Sequence, residues 1–172
     1  SSWFAPAALK VKEWLDSGEA GEVEQVITKY PVNVLDYAPR LTDPALAGGA
    51  ILDSGVYPIT YLYRLFGKPA GIRCSGVIEN GIDLSDEIDL TFANGQTHHI
   101  SLSIGDDRRE EYIRIIGTKA DIFTDHFHYA DKTELIAKDG NVIRTFEAKT
   151  TLLNEFDRTA EEIRAGLTES DD

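Results

Sequence analysis

Between residues 71 and 147 apolar side chains recur with a period of two, and this alternation narrows the possible folds more than any other feature. It is clearest around the first hairpin signal. Ile88, Leu90 and Phe92, then His98, Ile100, Leu102 and Ile104, fall on one side of their strands. Asp89, Thr91, His99, Ser101 and Ser103 fall on the other. Successive side chains of a strand point to opposite faces, so each such segment has one apolar and one polar surface. A sheet built this way is mainly antiparallel and needs cover on one face only. Asn94-Gly95 and Asp139-Gly140 are dipeptides that tight hairpin turns select. Strands are expected at 71–79, 87–93, 97–105, 111–117, 121–123, 132–137 and 142–147, with one more upstream at 23–34, where β-branched residues concentrate.

Elsewhere the period is helical. Helices are expected at 5–17, 50–66 and 151–165. The first carries an apolar stripe of Ala8, Val11, Trp14 and Leu15; the second carries Leu52, Val56, Ile59 and Leu62, with Leu65 or Phe66. Gly18, Gly67 and Gly166 stand where helices stop, and Pro58 should bend the second helix or displace its first turns. Residues 35–49, with Pro39, Pro44, Gly48 and Gly49 among polar groups, form a connection long enough to suggest function. Helix, strand, helix, strand meander and closing helix make an α+β architecture: an open-faced, mainly antiparallel sheet with helices on one face and the other free for a partner.

Size and charge exclude several classes. The 172 residues are 42% hydrophobic and 27% charged, which fits one domain with a real core. A net charge of −13 repels phosphate backbones and anionic lipid, so neither nucleic acid nor membrane is expected as a partner. No apolar run reaches the ~20 residues of a spanning helix. Residues 1–10 lack the features of a secretory signal, which makes the cytoplasm the default location. Cys74 is the only cysteine, so neither an internal disulfide nor a cysteine-based metal cluster can form. Residues 169–172 form an acidic tail.

The densest chemistry lies at residues 48–57, Gly-Gly-Ala-Ile-Leu-Asp-Ser-Gly-Val-Tyr. Asp53 and Tyr57 are four residues apart, on one face of a helix and one turn apart. In one reading the glycines end a loop and Asp53 is a carboxylate favoured at a helix start. In the other the glycines let a ligand or another backbone approach closely, and Asp53 grips a substrate hydroxyl while Tyr57 exchanges its proton. A free phenol titrates near ~10, so Tyr57 needs a neighbouring cation to work near neutrality. On its own helix the nearest is Arg64, about two turns away. Arg40, in the preceding loop, is a candidate for the substrate mouth or a solvated charge. Tyr61 and Tyr63 read as packing or interface residues.

His126 and His128 would share one face of a strand as half of a metal site, but two ligands are too few, and surface or interface histidines are the plainer reading. His98 and His99 point to opposite faces. Cys74 lies in a strand without an activating arrangement. The chain holds no dinucleotide fingerprint, phosphate loop or nucleophile elbow.

The segment Asp43-Pro-Ala-Leu-Ala-Gly-Gly-Ala-Ile-Leu-Asp53-Ser-Gly-Val-Tyr57-Pro-Ile59 resembles the signature of the Gfo/Idh/MocA oxidoreductases. Leu15-Asp-Ser-Gly-Glu-Ala-Gly-Glu-Val23 is similar to the turn into the first strand of that family's C-terminal domain, Ile116-Gly-Thr-Lys-Ala-Asp-Ile122 to its Gly-Thr turn, and residues 156–170 to its late helix. The resemblance implies a glyceraldehyde-3-phosphate dehydrogenase-like C-terminal domain spanning 1–172, with the Rossmann domain outside this chain. It implies NAD or NADP in the full-length protein and none bound to this chain alone. It maps catalysis onto Tyr57 as proton acceptor or donor and Asp53 as orienting acid, with a lysine from a Glu-Lys-Pro motif of the absent domain as the missing cation. Arg40 joins Asp53 and Tyr57 as substrate-binding, and Gly48 and Gly49 stand near the cofactor. The implied substrate is a sugar, polyol or trans-dihydrodiol; Tyr57 in place of histidine, with Arg40-Leu41 upstream, leans toward dihydrodiol and xylose dehydrogenases. The open sheet face implies a homo-oligomer. The alternative is a non-catalytic ligand-binding or oligomerisation module of the same fold.

Overall fold

A computed structural model describes residues 2–108, 110–151 and 153–168; the acidic tail at 169–172 lies outside them. Its centre is an eight-stranded sheet in the order β2-β3-β4-β1-β5-β6-β7-β8. The strands are β1 (Val23–Pro31), β2 (Gly71–Glu79), β3 (Ile82–Thr91), β4 (Thr97–Ser103), β5 (Tyr112–Gly117), β6 (Ala120–Asp125), β7 (Lys132–Ala137) and β8 (Val142–Glu147). All neighbours are antiparallel except β1 and β4, which run parallel from Gln25↔Thr97 to Pro31↔Ser103. The chain leaves β1, crosses through the second helix and the β2–β3 hairpin, and returns in β4 beside its start.

The alternation fixes which face is buried. Val26, Thr28 and Tyr30 of β1, Ile88 and Leu90 of β3, His98, Ile100 and Leu102 of β4, Ile113 and Ile115 of β5 and Ile122 of β6 are buried on one side. On the other side Glu87, Asp89 and Gln25 are exposed, with His99 and Ser101 half-buried beside them. His98 sits between Phe66 and Phe92, bonds Gln96 at 2.9 Å, and is pushed down to about 4 by burial, so it stays neutral. β3 starts earlier than its periodicity predicts because Asp83, Ser85 and Asp86 hide its first half behind polar residues.

Helix α1 (Pro6–Asp16) buries Ala7, Ala8, Val11 and Trp14 and packs toward β7 and β8. The turn after it locks onto the Gly-Thr turn: Thr118 N–H donates to Glu22 O at 2.8 Å and Lys119 N–H to Ala20 O at 2.9 Å. The expected helix at 50–66 divides in two, a π-helical turn Ile51–Gly55 and α2 (Val56–Phe66). Pro58 has no N–H to return to the preceding turn, and the wider winding lies just before it. Helix α3 (Leu153–Arg164) forms as expected but buries no side chain; Leu153, Phe156 and Ile163 are exposed, so it does not cover the sheet as α1 and α2 do. Among the described residues no helix is long and apolar enough to cross a membrane.

The start of the π-helical turn is tied to the sheet by a carboxylate. Ile51 N–H donates to Asp83 Oδ2 at 2.6 Å. Asp86, on the buried side of β3, is pushed up to about 7 by burial first, then by its hydrogen bond to Asp83 and by the charges of Asp83 and Glu87. Its ordinary value in an unfolded chain is about 3.9. The fold therefore favours protonated Asp86 below about pH 7, and the stability this contributes is complete below pH ~4 and is lost as pH rises through about 7.

Two stability measurements follow from this packing. Ile100→Ala, in a fully buried position of β4, is expected to cost about 2–5 kcal/mol in chemical denaturation. Asp86→Asn is expected to stabilise the chain by roughly 1–3 kcal/mol at pH 8, and the gain should close toward pH 4 in melts taken across that range.

Candidate active site

The loop at 35–49 folds into two 3₁₀ turns, Pro39–Thr42 and Pro44–Leu46, and ends on the glycine pair. Gly48 N–H donates to Asp43 O and Gly49 N–H to Leu41 O, each at 3.0 Å. A Cβ on Gly48 would stand 2.5 Å from Leu41 O, and one on Gly49 2.0 Å from Asp83 Oδ1; Gly49 also has φ +120°. The close approach expected of these glycines is thus used by the chain's own backbone and by Asp83. Both residues are buried, and both amides are committed inside the loop.

This turn sets the height of Asp53. Its Oδ1 accepts a hydrogen bond from Arg40 Nη2 at 2.5 Å, which brings loop and helix together over the sheet. One turn on, the half-buried Tyr57 ring packs edge-to-face on Tyr30 of β1 and on His128, with both centroid distances 5.7 Å. Tyr30 in turn packs on Phe127 and His128 at 5.4 and 5.3 Å. Burial raises the Tyr30 phenol well above its ordinary value, and the charges of Glu111, Tyr57 and Asp53 raise it further, so it stays protonated among these groups. Arg64 is not the cation for Tyr57: its guanidinium lies over Trp3 and Phe4.

Three members of this cluster carried no sign in the sequence of belonging to it. Tyr30 shares the buried parity of Val26 and Thr28, so its facing was legible, but not what it faces. Glu111 and His128 were hidden by distance in sequence. His128 Nδ1 and Glu111 Oε1 lie 2.6 Å apart, and the His128 backbone N–H donates to the same oxygen at 3.0 Å. No strand runs through 126–128, which the shared face of the two histidines would have required: β6 ends at Asp125, His126 turns at φ +46°, and Phe127–Tyr129 is a 3₁₀ turn. The two imidazoles therefore go to different acids, His126 to Asp125 at 3.1 Å and His128 to Glu111. Among the described residues no group of three or more His, Cys, Asp or Glu side chains could hold a metal.

The other singled-out residues lie away from the site or play no part in it. Tyr61 is buried in the core with its hydroxyl unpartnered, and Tyr63 is exposed. Cys74 is exposed on β2, its thiol raised by what burial it has and by Asp86 and Asp83.

What the arrangement offers is a carboxylate shared with a guanidinium, a phenol one helical turn away, and an aromatic wall with a carboxylate–imidazole pair behind it. A carboxylate that accepts from a hydroxyl, with a phenol nearby that as phenolate could take its proton, suits chemistry at a carbinol carbon.

Comparison with known proteins identifies the family. The model of the GFO/IDH/MocA C-terminal domain matches residues 8–123. The chain is 30% identical over 122 residues to trans-1,2-dihydrobenzene-1,2-diol dehydrogenase of Danio rerio, covering 69% of this chain and 36% of that enzyme. It is 36% identical over 70 residues to D-xylose 1-dehydrogenase (NADP(+)) of Hypocrea jecorina, covering 36% of this chain and 18% of that enzyme. The chain thus spans about a third or less of the length of these curated relatives. Among solved structures, levoglucosan dehydrogenase in complex with NADH and levoglucosan has the same fold over 99% of this chain and 57% of its own, with a TM-score of 0.81 at 15% identity. The inositol dehydrogenase homologue from Azotobacter vinelandii, complexed with NAD+, covers 85% of this chain and 42% of its own, with a TM-score of 0.74 at 15% identity. With the family match running through Asp53 and Tyr57 and the sheet superposing on these domains, the chain belongs to the GFO/IDH/MocA family and corresponds to its C-terminal domain.

Proposed function

We propose that this chain is the substrate-side domain of an NAD(P)-dependent dehydrogenase that acts on a carbinol of a sugar, polyol or trans-dihydrodiol. The observation that carries the proposal is that Asp53, paired to Arg40, and Tyr57, set in an aromatic wall, both lie near Tyr30 of β1, Tyr57 by ring contact and Asp53 through its charge. Relatives named as dihydrodiol and xylose dehydrogenases support the substrate class.

The chain's residues fit the carbinol end of such a reaction. Asp53 accepts the substrate hydroxyl's hydrogen bond, and Arg40 orients the carboxylate that does so. Tyr57 takes the hydroxyl proton, and the tilted rings of Tyr30 and His128 hold its plane. Among the described residues Arg40 is engaged with Asp53 and Arg64 lies over Trp3 and Phe4, so the cation that Tyr57 needs is expected from the lysine implied for the dinucleotide-binding domain. A nicotinamide, when bound, supplies the hydride acceptor. Gly48 and Gly49 serve the cofactor side through the turn that places Asp53, because their amides are already spent. The polar, uncovered sheet face is the surface through which we expect a second copy to bind, and this chain alone is expected to be inactive.

The test is an assay of the full-length protein with NAD and NADP against sugars, inositols and trans-dihydrodiols. Tyr57→Phe is expected to lower kcat by about 10²–10⁴-fold with binding of substrate retained. Asp53→Asn is expected to raise KM and lower kcat together. A folded full-length protein that binds no dinucleotide would overturn the proposal in favour of a non-catalytic binding module.

A further inference from the structure

Glu111 carried no signal in the sequence and His128 was read there only as half of a metal site or a surface histidine, yet the pair stands directly behind Tyr57. Three observations set it apart from ordinary surface pairing. Glu111 is buried, with 7% of its surface exposed, although it is a carboxylate. Burying such a group is costly unless it is well bonded. One of its oxygens takes both the Nδ1 contact of His128, at 2.6 Å, and that residue's backbone N–H, at 3.0 Å. Side chain and main chain of His128 are therefore gripped by one acceptor, which fixes both the 3₁₀ turn and the plane of the ring. That ring then meets Tyr57 at 5.7 Å and 70°, and Tyr30 at 5.3 Å and 43°.

We propose that Glu111 and His128 form a positioning dyad that holds the Tyr57 ring in the orientation from which it exchanges a proton with substrate. The proposal rests on the dehydrogenase reading of Tyr57. Neither residue touches the reacting atoms. Glu111 locks His128, and His128 and Tyr30, themselves 5.3 Å apart, together form one wall against which the Tyr57 ring packs edge-to-face. A misplacement of about 1 Å at a reacting group can cost on the order of 100-fold in rate, so a wall of this kind acts on kcat rather than on substrate affinity.

The experiment is a double-mutant cycle in the full-length enzyme, using the substrate and nicotinamide cofactor that give turnover with wild type. Glu111→Ala and His128→Ala are each expected to lower kcat by about 10–100-fold with KM within about threefold, and the double variant to be no worse than either single one. Glu111→Gln keeps an acceptor for both bonds and should recover most of the lost kcat. A structural role alone would lower the melting temperature without this split or this rescue. Singles that retain wild-type kcat while folded, or losses that add in the double variant, would overturn the dyad.

A second measurement keeps the dyad separable from the dehydrogenase reading. In the 172-residue chain, the χ1 couplings of Tyr57 by NMR should report one rotamer in wild type and an average in Glu111→Ala. If wild type turns over no tested substrate, this arm decides alone. A single unchanged rotamer in Glu111→Ala would overturn the positioning role, whatever the fate of the enzyme proposal.

Discussion

Everything in this molecule depends on the sheet having only one face that must be kept from water. The apolar sides of β1, β3, β4, β5 and β6 demand cover, and α1 and α2 supply it from above different strands. Because α2 has to lie over the sheet, the turn that precedes it is brought down beside Tyr30, and Asp53 and Tyr57 arrive with it. The site is a by-product of where a covering helix begins. The opposite face, with Glu87, Asp89 and His99, is under no such demand and stays polar. There His99 lies between the two acids, at 2.9 Å from Glu87 and 2.8 Å from Asp89.

The start of that helix is controlled more tightly than its middle. Asp83 accepts from Ile51 N–H, Gly49 leaves the space that Asp83 occupies, and Asp86 beneath them has its carboxyl pushed up to about 7 by burial and by Asp83. The carboxylates near Asp53 thus divide their tasks by environment. Asp53 keeps Arg40 and an open side, Asp83 spends itself on a backbone amide, and Asp86 is pushed toward its protonated form. Glu111, across the site, is buried but bonded twice. The same functional group does different work according to what surrounds it.

Much of the architecture was legible because period-two alternation and period-3.6 stripes are local signals. Ile88 to Leu90 and His98 to Leu102 declared their faces, and Asn94-Gly95 declared the hairpin between them. Legibility failed where a strand carried acids on its buried side, as Asp86 does in β3, and where an amphipathic segment formed a helix without burying it, as α3 does. It failed again at residues 126–128, where a left-handed residue ended the strand and sent two histidines to different partners. Within the site, Asp53, Tyr57 and Arg40 were readable from spacing and from the signature they sit in; Tyr30, Glu111 and His128 were not.

By itself the sequence determined the elements, the polarity of the sheet's two faces and the helical spacing of the acid–phenol pair, since each depends on residues within a few positions of one another. Only the tertiary structure decided that Tyr57 stands against Tyr30 and His128, and that Glu111 holds His128 in place. These residues come from β1, α2, the start of β5 and the turn after β6, and what joins them is strand order. Strand order is chosen by the burial of the whole sheet at once, a sum over many long-range contacts that no short segment encodes.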